Sequence, residues 1–286
     1  MASSIVGESG HLYVQGEVLQ RHREDPKLII FKAESENEPF VFKRVPRPFY
    51  DLSLRLAAEF AGSRRLRMHI DCNQEEGILA IQELHSKDWI HIDVKPDNIL
   101  VNWTCDKDGN ITVTDVALGN FDIAFKSEGG KPRQTPYPIG NAMWRSPEGQ
   151  TGRGVTKASD IFSFGLVCIY TLGGGELLLL DDYQELVRRG ISPEQEIISR
   201  HFAYFGPVTE GLLEQVNSEH WCNALKGVSA MAEDAVEKQP SLKFEHWGKE
   251  LGPTAQNLIS GMTNPDPTVR ITIDQVLTYP WWQETD

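Results

Sequence analysis

Cysteine is scarce, and none of it is spaced for pairing. The four residues, Cys72, Cys105, Cys168 and Cys222, lie far apart with no C-x-x-C. That excludes a disulfide scaffold and reads as reduced thiols in an intracellular protein. Long apolar runs are lacking too. The most apolar window, Ile161 to Leu180, is interrupted by Gly173-Gly174-Gly175-Glu176. It suits a buried helix and its exit loop better than a membrane span. Residues Met1 to Gly7 have no basic start and no apolar core of signal-peptide length, so no secretory signal is expected. Positive charge is in deficit, with 28 Lys and Arg against 41 Asp and Glu and a net charge of −13. This argues against a nucleic-acid or anionic-membrane surface and favours basic peptides as partners. Internal repeats and low-complexity tracts are absent.

What is present is an ordinary globular composition, 40% hydrophobic and 24% charged over 286 residues. That length allows a sizeable core in one large domain or two small lobes. The most informative stretch is His91-Ile92-Asp93-Val94-Lys95-Pro96-Asp97-Asn98, followed by the apolar run Ile99-Leu100-Val101. An Asp, a Lys two residues on and an Asn five residues on flank a Pro-stiffened turn ahead of a strand. Phosphoryl transfer needs such groups: a carboxylate for the nucleophile's proton, a cation for phosphate charge and an oxygen for a metal. A plain polar turn before a strand would not need all of them at this spacing.

The stretch resembles the catalytic loop of eukaryotic protein kinases, with Lys95 as in the Ser/Thr-specific group. Glu83 to Ile90 is similar to the helix end leading into that loop, and Ile81 to Trp282 is similar to a set of fungal kinase-like proteins. Gly140 to Glu148 resembles the family's docking loop and A-P-E box. Lys157 to Gly165 resembles the start of its central helix, with Asp160 bonded to the catalytic-loop backbone. Asp266 to Arg270 and Leu277 to Trp282 resemble its closing helices, with Arg270 paired to Glu148. The resemblance implies an α+β, two-lobed protein-kinase-like fold over residues 1–286. A strand-rich lobe would span about 10–80 and a helical lobe about 81–286. It also implies ATP and Mg²⁺ as cofactors, and a Ser/Thr protein substrate.

Residue by residue, the resemblance makes Asp93 the proton acceptor and Lys95 the γ-phosphate neutraliser. Asn98 becomes a metal ligand. Lys43 matches the phosphate-pairing Lys of a strand and Glu59 its helix partner. The phosphate loop matches poorly: Val14-Gln15-Gly16-Glu17-Val18 has a single glycine, so only Gly16 carries over. Two frames stay open for the metal-binding tripeptide. Leu118-Gly119-Asn120-Phe121-Asp122 puts Asn120 where the family has Asp, with Asp122 two residues on. Asp115-Val116-Ala117 keeps an Asp and loses the aromatic. A neutral amide neutralises a hard dication poorly. Ile92 stands where most members carry the Arg that reads a phosphorylated activation segment, so that control is expected to be absent. Thr135 and then Ser127 are the sites at which to test it.

The remainder is read from pattern. Leu12–Val14, Leu28–Phe31 and Phe40–Val45 are β-rich runs. Asp51 or Ser53 is expected to cap a helix from about Leu52 to Met68, whose Arg64, Arg65 and Arg67 suit its C-terminal end. Only 23 residues separate Arg67 from His91, whereas a long helix alone takes about 20 residues, roughly 30 Å. The second strand and hinge that a kinase places there have no room, as if an internal segment were missing. Asp106 to Asn110 is a turn without the downstream Glu of a calcium loop. Ile111–Thr114 reads as a strand, and Tyr183–Arg188 and Leu225–Val236 as helical. The alternative function is a catalytically impaired pseudokinase used as a binding module.

Overall fold

A computed structural model describes residues 4–6, 12–21, 29–35, 38–43, 47–61, 63, 65–66, 77–107, 109–178, 180 and 183–283. The chain divides into two compact units, Met1–Ala61 and Gly62–Asp286. The division comes earlier than the expected boundary near residue 80, because the segment after Ala61 bonds into the second unit. Ser63 Oγ donates to Glu83 at 2.7 Å, and Leu118 N donates to the Arg65 carbonyl at 3.0 Å.

In the first unit, β1 (Ser4–Val6), β2 (Leu12–Arg21), β3 (Ile29–Ser35) and β4 (Glu38–Lys43) form one antiparallel sheet in chain order. Strand β3 alternates as a half-buried strand should: Phe31, Ala33 and Ser35 are buried, while Lys32 and Glu34 are exposed. Lys32 pairs with Glu17 across the sheet. Helix α1 runs Arg47–Glu59. It starts a turn before the expected cap, because Pro48 is tolerated in a first helical turn, where its missing N–H costs nothing. Leu56 and Phe60 are its buried face. The strand expected at Met68–Cys72 lies outside the described residues.

The second unit opens with α2 (Gly77–Ser86) and the short β5 (Trp89–Ile90). Strands β6 (Ile99–Cys105) and β7 (Ile111–Leu118) form a hairpin from Ile99 opposite Leu118 to Cys105 opposite Ile111, with a one-residue register shift between Asn102 and Trp103. Strand β8 (Phe125–Lys126) pairs with β5, and β9 (Arg133–Gln134) pairs with β10 (Arg153–Val155). Between β9 and β10 lies α3 (Pro147–Thr151), whose ends are written in its sequence. Ser146 caps the N-terminus through Gly149 N, Pro147 opens the helix, and Gly152 closes it in the left-handed conformation at φ 71°. A Cβ at Gly152 would collide with the Tyr137 carbonyl, which makes glycine obligatory there.

Helix α4 (Lys157–Ile169) is buried from Ser159 to its end, as the apolar window implied. Short helices α5 (Gly175–Leu178) and α6 (Tyr183–Arg188) lead to α7 (Pro193–Phe205), α8 (Glu210–Val216) and α9 (Glu219–Lys238). Ile198, Phe202, Leu212, Val216 and Leu225 join the last three in one core. Helices α10 (Phe244–Trp247), α11 (Pro253–Met262) and α12 (Ile273–Leu277) complete the unit. No helix among the described residues is long and apolar enough to cross a membrane. Cys105, Cys168 and Cys222 are free thiols, and burial pushes that of Cys168 up to about 12.

Candidate active site

The loop between β5 and β6 is held from beneath by α4. The Asp160 carboxylate is fully buried. Its Oδ2 accepts from His91 N and its Oδ1 from Ile92 N, both at 2.8 Å. His85 Nε2 lies 3.0 Å from the same Oδ2. These bonds hold Ile92 at φ 64°, a conformation costly for a β-branched residue. Gly140, at φ 89°, passes so close that a Cβ there would lie 2.6 Å from the Ile92 carbonyl.

Above this clamp the polar residues converge on Asp93, which is only 7% exposed. Its Oδ1 accepts from Asn141 N at 2.9 Å. Its Oδ2 faces Lys95 Nζ at 2.8 Å and accepts from Asn98 Nδ2 at 3.0 Å. Asn98 Nδ2 also donates to the Asp93 carbonyl at 2.7 Å. The 3-10 turn Pro96–Asn98 supplies this geometry, since Pro96 opens it and brings Asn98 back under Asp93. Asn141 was not expected at the site from sequence. It is the first residue of the loop whose Oδ1 accepts from Met143 N at 3.0 Å, and a polar residue directly after the positive-φ Gly140 was the available signal.

The strand pairing after Asn98 places Asn120 and Asp115 differently. Leu118 pairs with Ile99, and Gly119 N then donates to the Asn98 carbonyl at 2.9 Å. The next residue, Asn120, sits at φ 64° and places its Nδ2 3.0 Å from Asn98 Oδ1. Phe121 packs edge-on against His91 with ring centroids 5.1 Å apart. His91 Nε2 donates to the Gly119 carbonyl at 3.0 Å, and its Nδ1 accepts from Asp93 N at 3.3 Å. Burial pushes the His91 pKa below its ordinary value, in keeping with this neutral tautomer. Asp122 is half-buried, two residues beyond. Asp115 lies inside β7 opposite Asn102, whose amide donates to it at 3.0 Å. The structure thus joins Asp93, Lys95, Asn98 and Asn120, and gives Asp115 a cross-strand partner.

This donor set does not fit a Mg²⁺ ion held between Asn98 and the tripeptide. Hard dications favour carboxylate oxygens, and this pair offers two amides. Asn98 Oδ1 already accepts an N–H. No group of three or more His, Cys, Asp or Glu among the described residues is arranged to hold a metal.

The remaining candidates belong to the first unit. Lys43 ends β4 with an exposed side chain, and Glu59 ends α1 half-buried. Gly16 lies within β2, where the pairing with β3 slips between Gln15 and Val18. It is a strand irregularity rather than a connection between strands. Residues 7–11, between β1 and β2, lie outside the described residues.

Ile92 has its own consequence. Its side chain packs with Ile90 and Val155, against Ile123, Phe125 and Ile139. Apolar contact therefore ties the segment after the tripeptide to the catalytic loop, where an Arg would need an anion. Thr135 is placed correspondingly: its Oγ1 lies 2.7 Å from the Tyr137 carbonyl and 2.6 Å from that of Gly152. An acidic group there would face two carbonyl oxygens. Thr135→Glu is expected to lower stability by about 1–3 kcal/mol without raising any activity. Urea unfolding and a transfer assay on the variant would check this, and an activated variant would refute it.

Comparison with known proteins agrees with this geometry. The protein kinase domain family matches residues 74–282. The mitogen-activated protein kinase mpkA of Aspergillus fumigatus is 24% identical over 206 residues, covering 71% of this chain and 42% of that protein. The kinase HOG1B of Wallemia ichthyophaga is 27% identical over 202 residues, 70% of this chain and 46% of its own. PknA of Mycobacterium tuberculosis is 33% identical over 113 residues, 40% of this chain and 24% of its own. The chain thus spans less than half the length of these curated relatives. A chain of the CAK complex from Chaetomium thermophilum, a structure bound to ATP-gamma-S, shares the fold with a TM-score of 0.55 at 17% identity. That match covers 95% of this chain and 91% of the other. With most of its length matched by the family and its catalytic loop built as described, this chain belongs to the protein kinase domain family, of the eukaryotic Ser/Thr type.

Proposed function

We propose that this domain transfers the γ-phosphoryl group of ATP to a Ser or Thr hydroxyl of a protein. The observation that carries the reading is the Asp93 carboxylate, fixed by Asn141 N and Asn98 on one side and by Lys95 Nζ at 2.8 Å on the other. The substrate oxygen attacks the γ-phosphorus, the bond to the β-γ bridging oxygen breaks, and ADP leaves. The hydroxyl proton passes to Asp93, which also orients the attacking oxygen. Lys95, beside it, neutralises charge on the transferred group. Lys43 and Glu59, in the first unit, are the residues whose positions resemble the family's phosphate-seating pair. The net charge of −13 favours substrates with basic residues around the hydroxyl, in an intracellular setting.

Incorporation of labelled phosphate from ATP into a basic Ser/Thr peptide tests the assignment. Asp93→Asn keeps the shape and removes the base, and is expected to lose at least about a hundredfold in rate. Equal rates for the variant and the unaltered chain would end the role given to Asp93. A second reading, a kinase-fold binding module without turnover, is favoured by the Asn120 amide on Asn98. It predicts peptide binding without incorporation above the Asp93→Asn level.

A further inference from the structure

We infer that Asn120 keeps a divalent cation off Asn98 Oδ1, because it presents a hydrogen-bond donor where a cation needs an oxygen. The inference rests on the assignment of this loop as the phosphoryl-transfer site and concerns one pair within it. The direction of each bond follows from what its neighbours accept. Asn98 faces the Asp93 carbonyl at 2.7 Å and the Asp93 Oδ2 at 3.0 Å. At neutral pH both are acceptors only, so Asn98 must turn its NH₂ toward them. Its Oδ1 is then directed at Asn120. The contact there, at 3.0 Å, joins two like oxygens unless Asn120 turns its own NH₂ inward. Donation therefore runs one way, from Asn120 to Asn98 to Asp93. Asn98 is 4% exposed and Asp93 7%, so water is largely kept from the bonds between them, while Asn120 reaches Asn98 from an exposed position. A cation on Asn98 Oδ1 would meet the partially positive amide hydrogens of Asn120.

A single change inverts the arrangement. Asn120→Asp puts an acceptor against Asn98 Oδ1 with no hydrogen between them, adds a negative charge and keeps the side chain's size. The backbone accommodates it, since Asp tolerates the left-handed φ of 64° that Asn120 holds. Two facing oxygens are repulsive alone and form a ligand pair around a cation, so the variant should need the ion that the unaltered chain refuses.

The test uses Mn²⁺ alone on the full chain, followed by electron paramagnetic resonance and thermal unfolding. The unaltered chain is expected to bind no Mn²⁺ at this pair and to unfold at the same temperature with or without it. Asn120→Asp is expected to unfold at a lower temperature without metal, to recover with Mn²⁺, and to bind it at least about tenfold more tightly than the unaltered chain. The inference is overturned if the variant binds no better than the unaltered chain. It is equally overturned if the unaltered chain binds one Mn²⁺ that Asn98→Ala abolishes, a measurement that stands even if Asn120→Asp fails to fold. Incorporation of labelled phosphate by the unaltered chain is read separately. Its absence would end the phosphoryl-transfer reading while leaving the Mn²⁺ result intact.

Discussion

Arg270→Ala is expected to cost roughly 3–5 kcal/mol of unfolding free energy, as a core truncation would. The side chains of Arg270 and Glu148 are both fully buried. They are 122 positions apart in sequence and pair twice, Nη1 to Oε1 at 2.8 Å and Nη2 to Oε2 at 3.2 Å. The remaining N–H groups of the guanidinium go to carbonyls: Nε to Asn264 at 2.8 Å, Nη1 to Ala158 at 2.7 Å and Nη2 to Pro265 at 3.3 Å. All five donors are thus used, and the guanidinium carbon lies 4.9 Å from the Phe162 ring. Burial by itself pushes the Glu148 carboxyl up. The charge and hydrogen bonds of Arg270, with further hydrogen bonds to the backbone and Ser159, more than offset it and hold the pKa below its ordinary value.

Removing Arg270 leaves that carboxylate buried with its main counter-charge gone, together with three unmatched carbonyls. A Lys places one point charge and cannot reproduce the fork, so Arg270→Lys should recover only part of the loss. Pairing Arg270→Met with Glu148→Gln should be less damaging than Arg270→Ala alone, because no charge is then stranded. Urea unfolding of the three variants decides it. A loss within about 1 kcal/mol for Arg270→Ala, the value of an exposed pair, would sink the argument.

Much of the second unit was legible because its chemistry is carried by residues at fixed local spacing. Asp93, Lys95 and Asn98 lie within six positions, so one Pro-opened turn suffices to bring them together. Gly149 to Gly154 reads as a Gly-rich loop, whereas Ser146 and Pro147 start a helix there, Gly152 ends it and Arg153 enters β10. The first unit was harder. Strand ends depend on pairing rather than on propensity, so β2 runs on to Arg21 through Gly16. Two properties of the site were beyond the sequence in principle. Residue type does not state which way an amide donates, so the Asn120-to-Asn98 bond needed coordinates. Nor does an Ile in place of an Arg reveal that Ile123, Phe125 and Ile139 close around it.

Acid is expected to weaken the protein well above the pH at which carboxylates titrate, and His201 is the reason. Its ring is buried against Phe162 and Phe205, with centroids 5.2 and 6.0 Å away, and its Nδ1 has no hydrogen-bond partner among the described residues. Burial, with a further contribution from the positive charge of Arg270, pushes its pKa down to about 3 from an ordinary 6.5. Between those values the unfolded chain binds a proton that the native state refuses, so stability falls as the pH falls, by about 1.4 kcal/mol per unit. The loss from this residue is roughly 2 kcal/mol at pH 5 and about 4 kcal/mol by pH 3. His91, pushed down by its own burial, acts with the same sign. Glu148, also depressed, adds its loss only below the ordinary carboxylate range. His201→Leu keeps the volume and removes the titration, so urea midpoints between pH 7.5 and 5 should fall less steeply for it than for the unaltered chain. Identical slopes in the two proteins would place the acid sensitivity elsewhere.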